Sequence, residues 1–407
     1  MKANIAKLYW ILLPLLLAAC GSPPPAAVSV PSSWEEVEAQ AKGRTVTFMM
    51  WQGDPLINRY IRAYAAPALQ AQYGIELRVV AGQGNDIVRL LMAEAEAGQA
   101  ESEVDMMWIN GETFFQLRQI QALYGPFAQQ LPNSRYVDWE NPFIGMDFQQ
   151  PVEGYECPWG NVQLALIYHS GRVPQPPMTL EALAQWVQAH PGKFTIGHDF
   201  TGMTLLKSWL IHLAGGPAAL QGPFSEEKYQ RHSRALWAYV RRLKPYLWNE
   251  GRSFPTSVAQ MHQLYASGEL LMTMSNNDAE VDNKILEGIF PPESRAYVPL
   301  TGTIQNSHYV GISARSADKA AAMVVCNFLL SPAAQFEKLQ PAVWGDGSVL
   351  SVDKLPAAWQ QRFAAVPGRR QAPARADIQA RALAEPAPEY MIRLFEDFRK
   401  EVIEKQD

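Results

Sequence analysis

TVTFMMWQGDPLINRYIRAY, residues 45–64, sets the pattern that the rest of the chain repeats. Residues 45–50 are a short apolar run, the mark of a buried strand. Beyond Trp51-Gln52-Gly53-Asp54, apolar residues return every three or four positions: Ile57, Tyr60, Ile61, Tyr64 and Ala68. That spacing predicts a helix over 56–72. A second strand follows at 75–80, and a helix at 86–97 with Ile87, Leu90, Leu91 and Ala95 on one stripe. Residues 104–109 read as a third strand. Strands separated by helices imply parallel pairing and an α/β lobe.

The alternation resumes downstream. Residues 162–168 read as a strand, apolar except for Gln163, and Pro174-Gln175-Pro176-Pro177 ends it. A helix over 180–189 takes Thr179 as its cap. A strand at 194–197 leads to a helix over 202–213 that stops at Gly215-Gly216. Helices at 235–244 and 257–267, strands at 270–274 and 309–313, and a helix at 317–330 follow. Residues 364–388, rich in Pro, Ala and Arg, read as an irregular surface segment, and 391–406 as a charged final helix. The chain of 407 residues exceeds one ordinary domain, so two lobes are expected.

The N-terminus has another character. Lys2 and Lys7 flank the start of an apolar run over 8–19, too short to span a bilayer comfortably. Basic residues, a short greasy core and small residues are the order of a secretory signal. Leu17-Ala18-Ala19-Cys20 resembles a bacterial lipobox, whose cysteine is acylated and becomes the first mature residue. The expectation is a lipoprotein signal peptide over 1–19, a Pro-rich lipid-anchored tether over 20–42 and a body held outside the cytoplasm, in the periplasm. Removing residues 1–19 takes away two lysines and no acid, which brings the formal charge from -5 to -7. A mildly acidic body argues against a nucleic-acid partner. Cys157 and Cys326 remain; they either pair or stay as buried inert thiols, and their spacing fits no metal site.

In open α/β sheets ligands sit beyond the carboxyl ends of strands. Those ends carry Trp51, Gln52, Gly53 and Asp54; Asn110, Gly111 and Glu112; Asp199 and Thr201; Asn276, Asn277 and Asp278. Trp159, Gly160 and Asn161 precede the strand at 162, and Asn306 precedes the strand at 309. Amides and hydroxyls bond a polar ligand directionally, glycines let backbone approach it and tryptophans supply flat walls. Any one such cluster could be turn chemistry alone; six near strand ends point to a small-molecule site.

Several stretches resemble the solute-binding proteins of bacterial ABC importers: WQGDPLINRYIRAY (51–64), DMMWINGETF (105–114), CPWGNVQLALIYHSGRVPQPPMTLEAL (157–183), GTIQNSHYVGI (302–312) and NFLLSPAAQFEKL (327–339). Among these the chain is most similar to the YnjB-like branch, related to thiamine-binding and iron-binding proteins. The resemblance runs from about residue 43 to the C-terminus. It implies a type II periplasmic-binding-protein fold, two α/β lobes with the ligand clamped in the cleft between them. It places lobe 1 over 43–156, lobe 2 over 157–300, and a lobe 1 return with the C-terminal helices over 301–407. Crossings are expected near 155–161 and 298–303. By motif it assigns Trp51, Gln52, Gly53, Asn110, Gly111, Glu112, Trp159, Asn276 and Asn306 to the cleft. It also implies a monomer working with an ABC permease and its ATPase. The iron-binding relative uses adjacent tyrosines; this chain has no Tyr-Tyr pair, so ferric ligation is not expected.

The expected cleft holds Asp54, Glu112, Asp199 and Asp278, and the strand-end clusters hold no Lys or Arg. With tryptophans at hand, this favours an organic cation, thiamine-like, or a neutral polar solute over an anion. No HExxH, GxSxG or Walker lysine is present, so no catalytic residues, metal or cofactor are expected. The alternative is an envelope lipoprotein acting as a scaffold, which would expose an apolar patch in place of a cleft.

Overall fold

Ser33 opens the described chain. Its hydroxyl accepts from the Glu36 N–H and caps the helix Trp34–Ala41, whose Val37 and Ala41 enter the core of the first lobe. The computed structural model describes residues 33–405; the leader, Cys20 and most of the tether lie outside them.

β1 (Thr45–Met50), β2 (Glu76–Ala81) and β3 (Met106–Ile109) form the parallel group that the periodicity predicts. Between β1 and β2 the helix Pro55–Arg59 passes through a π turn, Tyr60–Ala65, into the helix Ala66–Tyr73, and Gly74 ends it at a φ of 68°. The helix Asn85–Glu96 follows β2, and the helix Gly111–Gln119 follows β3. A two-residue hairpin of β4 (Met146–Asp147) and β5 (Gln150–Pro151) comes next, with Phe148 and Gln149 at its tip in the left-handed region.

The strand expected over 162–168 is divided. β6 (Glu156–Gln163) belongs to the first sheet and β7 (Ala165–His169) to the second. Leu164 is the joint: its N–H donates to Ile304 O at 2.9 Å and its C=O accepts from Thr303 Oγ1 at 2.6 Å. β7 pairs antiparallel with β8 (Met272–Ser275) and β9 (Ser294–Tyr297). The helices Leu180–Ala189, Phe200–Leu213, Glu226–Leu243 and Val258–Ala266 pack around that small sheet. The strand expected at 194–197 is not in a ladder. Phe194 and Ile196 are apolar because they fill the second core, and Phe194 O is used by Trp248 N.

β10 (Thr303–Ile312) carries the chain back, antiparallel to both β6 and β3. The helices Lys319–Leu329 and Pro332–Leu339 then join the first core. Of the C-terminal helices expected with the lobe 1 return over 301–407, the last does not stay with the first lobe. After β11 (Ala382–Leu383), parallel to the start of β10, the helix Pro388–Phe398 packs on the second lobe. Tyr390, Met391, Leu394 and Phe398 all bury in the second core, because that helix carries one strongly apolar face and a charged opposite face. Tyr229 anchors it by donating to Asp397 at 2.8 Å. The segment that crosses carries Arg369 and Arg375 to Asp278. Cys157 and Cys326 are buried free thiols in the first lobe. Among the described residues no single helix is long and apolar enough to cross a membrane.

Candidate ligand-binding site

The lobes meet directly along the strand ends. Lys284, on the helix Glu280–Leu286 of the second lobe, reaches Asp54 of the first and lies 3.3 Å from Glu280. Arg59 bonds Glu287 at 2.8 Å across the same boundary, and Asn283 donates to Trp344 O.

Three of the four acids expected to set charge preference are committed to the fold. Asp54 caps its helix, Oδ1 accepting from Leu56 and Ile57 N–H at 2.7 and 3.1 Å, and its other oxygen takes Lys284. Asp199 caps the helix Phe200–Leu213 through Gly202 N–H at 2.9 Å. Asp278 accepts from Gln163 N–H at 3.0 Å, from Arg375 at 2.8 Å and from Arg369. Burial pushes the Asp278 carboxyl up, but Arg375 and Arg369 outweigh it and hold the group below its ordinary value. The expectation that no cation lies among these clusters is therefore corrected. Lys284, Arg369 and Arg375 come from segments distant in sequence, which strand-end reading cannot place.

Of the tryptophans, Trp51 is partly exposed, its indole folded over Gly53 where a Cβ would collide with the ring, and it meets Trp108 edge-on at 6.4 Å. Trp159 is fully buried, its ring 5.1 Å from both Trp108 and Trp344 and 5.7 Å from His308. It packs inside the first core and presents no free face. Gly160 has its own reason: a Cβ there would strike His308 and the Asp346 carboxylate, which takes Lys338 at 2.6 Å. Gln52 is engaged by Arg62 at 2.9 Å, Asn276 donates to Thr201 at 3.1 Å, and Asn277 holds the turn through Ala279 N–H. Asn110 starts the helix Gly111–Gln119 without capping it by its side chain.

Glu112, Gly111 and Asn306 converge on something the strand ends did not reveal. The Phe148 ring, at the hairpin tip, lies against Gly111, where any Cβ would overlap it. Lys207, on the helix Phe200–Leu213, sits 3.9 Å above that ring and donates to Glu385 at 2.5 Å. Asn306 donates to the other oxygen of Glu385 at 3.0 Å. Around this lysine stand Glu112, Asp147 and Glu385, with Glu156 behind Asp147. Oε2 of Glu112, Oδ2 of Asp147 and both oxygens of Glu156 are sealed from solvent with no hydrogen-bond partner among the described residues. Burial drives the Glu112 carboxyl up to about 7, partly offset by Lys207. Burial, then Glu112 and Glu385, push Asp147 well up; burial and Asp147 do the same to Glu156, against Arg118. This buried charge cluster, called the chamber, thus holds more carboxylates than Lys207 can pair, with Arg118 near Glu156 as the other cation. Sequence reading found Glu112 and Asn306. It missed Asp147, Glu156, Glu385, Lys207 and Phe148, and the tryptophans Trp108 and Trp344.

The family model for bacterial extracellular solute-binding proteins matches residues 63–365. Protein YnjB of Escherichia coli K12 is 42% identical over 329 residues, 80% of this chain and 84% of that one. The chain belongs to the bacterial extracellular solute-binding proteins. Its fold is the two-lobe type II arrangement, shared with solved structures at low identity. A putative spermidine/putrescine ABC transporter protein from Listeria monocytogenes superposes with a TM-score of 0.61 at 14% identity, over 87% of this chain and 98% of that one. The periplasmic binding protein AfuA from Actinobacillus pleuropneumoniae, with fructose-6-phosphate bound, gives 0.64 at 12%, over 89% and 99%. The TpPotD lipoprotein of Treponema pallidum gives 0.62 at 13%, over 88% and 99%. Ligands as different as a sugar phosphate and a polyamine are named on this one fold, so the fold leaves ligand class to the side chains.

Proposed function

We propose that this protein is the lipid-anchored solute-binding component of an ABC importer, and that it captures a small organic cation between its lobes for delivery to the permease and ATPase. The observation that carries the cation is the chamber around Phe148. Glu112, Asp147, Glu156 and Glu385 stand there against Lys207, with Arg118 near Glu156, and three of the four keep unpartnered, solvent-sealed oxygens. An ammonium group replaces the lost hydration of such oxygens with charge-assisted hydrogen bonds. A sugar phosphate would meet a lysine already engaged by Glu385. Glu112, Asn306, Gly111 and Asn110 are the sequence-assigned residues we keep at the site; Asp54, Asp199 and Trp159 we reassign to the frame that holds it.

A thermal-shift screen of residues 34–407 tests the reading, with thiamine, putrescine, spermidine, choline, neutral sugars, amino acids, fructose-6-phosphate and sulfate. A ligand at 100 times its Kd adds about 2.7 kcal/mol of stability, an easily read shift. Shifts confined to the organic cations are expected. A shift with fructose-6-phosphate or sulfate and none with amines would overturn the charge assignment. Cys20→Ser tests the anchor: the expected outcome is loss of acylation and release from the membrane fraction.

A further inference from the structure

Four carboxylates around one lysine raise a question of electroneutrality that the cation reading leaves open. Asp147 is 2% exposed and Glu156 is fully buried, and Oδ2 of Asp147 and both oxygens of Glu156 are sealed from bulk solvent with no partner among the described residues. An ionised carboxylate without a partner in such a place costs several kcal/mol, and it escapes the cost by taking up a proton. The groups facing the chamber from each packed element can be named. Lys207 comes from the helix Phe200–Leu213, Glu385 from the segment after β11, and Asp147 from the hairpin. Tyr309 of β10 donates its hydroxyl to Ile144 O at 2.9 Å and lies near both Asp147 and Glu156. Arg118, on the helix of Glu112, lies 3.6 Å over the Tyr155 ring and is held by Glu153 at 3.1 Å. Lys207 is paired with Glu385; Arg118 pairs with Glu153 through one guanidinium nitrogen while its other, Nη1, is buried without a partner, and among the described residues no cation hydrogen-bonds Glu112, Asp147 or Glu156.

We infer that the chamber takes its cation in exchange for protons: Glu112, Asp147 and Glu156 carry protons in the ligand-free protein, and each ammonium group entering beside the Phe148 ring displaces one of those protons to solvent. The inference rests on the cation reading above and adds to it the state of the empty site. It makes capture pH-dependent. Each proton released steepens the affinity by about tenfold per pH unit while its carboxyl titrates. For Glu112, raised to about 7 by burial, that range includes neutral pH.

Putrescine and thiamine are the probes, tested on the intact mature body by two measurements. Infrared spectroscopy at neutral pH should show the carbonyl band of protonated carboxyl groups in the ligand-free protein. That band should weaken in Glu112→Gln and in Asp147→Asn, and fade in the wild-type protein when a probe cation is added. Calorimetry in two buffers of different ionisation enthalpy should show net proton release on binding, reduced in Glu112→Gln; using two variants keeps the test alive if one folds poorly. A probe cation that binds with no proton release and no change in the band overturns the exchange and leaves the cation reading intact. A ligand-free protein without the band overturns it too. Failure of every cation to bind overturns both.

Discussion

Glu112 carries a pH prediction of its own at the scale of the single residue. Its carboxyl is raised from 4.5 to about 7 in the folded protein, so the fold binds the proton more tightly than the unfolded chain does. Its contribution is therefore fully present below pH 4.5, declines as pH rises toward 7 and is gone above it. Thermal unfolding of wild type and Glu112→Gln should show the variant gaining relative stability across that window. Asp278 has the opposite sign: its group is lowered, so what it contributes is lost as pH falls into the acid range. Trp159→Ala should cost about 3–5 kcal/mol in denaturant unfolding, since a fully buried indole leaves a cavity among Trp108, Trp344 and His308. A near-neutral result there would return Trp159 to the ligand surface. Gly160→Ala should also destabilise, by about 1–3 kcal/mol, because its methyl has to displace His308 or the Asp346 carboxylate.

Among the elements, β4–β5 matters most to the site and was least visible. Met146-Asp147-Phe148-Gln149-Gln150-Pro151 has neither Asn-Gly nor Asp-Gly at its turn, yet Phe148 and Gln149 adopt φ values of 47° and 62°. The turn is held from outside. Gln149 donates to Glu385 O at 3.0 Å and accepts from Gly222 N–H at 2.9 Å, and Phe148 is buried in the second core. Phe148→Ala should therefore lower both stability and cation affinity, the first read by unfolding and the second by calorimetry. β1, β2, β3 and the helices between them were legible because period and length agree there. β6 and β7 looked like one strand because Leu164 continues the apolar run through a joint that only the pairing defines. Residues 194–197 looked like a strand because a buried extended segment carries the same composition as one. The chamber was illegible for a plainer reason: its charged groups stand at 112, 147, 156, 207 and 385, and no spacing rule links them.

For the whole molecule, the boundary between lobes is fastened by charge. Lys284 serves Asp54 of the first lobe and Glu280 of its own helix, and it is nearly buried. Lys284→Met leaves two acids without their cation, and a broken buried pair costs about 3–5 kcal/mol. Small-angle scattering should show a larger radius of gyration for this variant than for wild type; an unchanged radius would mean that Arg59–Glu287 and Asn283–Trp344 hold the lobes together without it.

The third crossing of the chain leaves two helices far apart in sequence on different bodies: the helix Trp34–Ala41 belongs to the first lobe, and the helix Pro388–Phe398 to the second. Donor and acceptor fluorophores placed on those two helices would ride on opposite jaws. Energy transfer between them would convert solute capture into a colour change, with no label near the chamber itself.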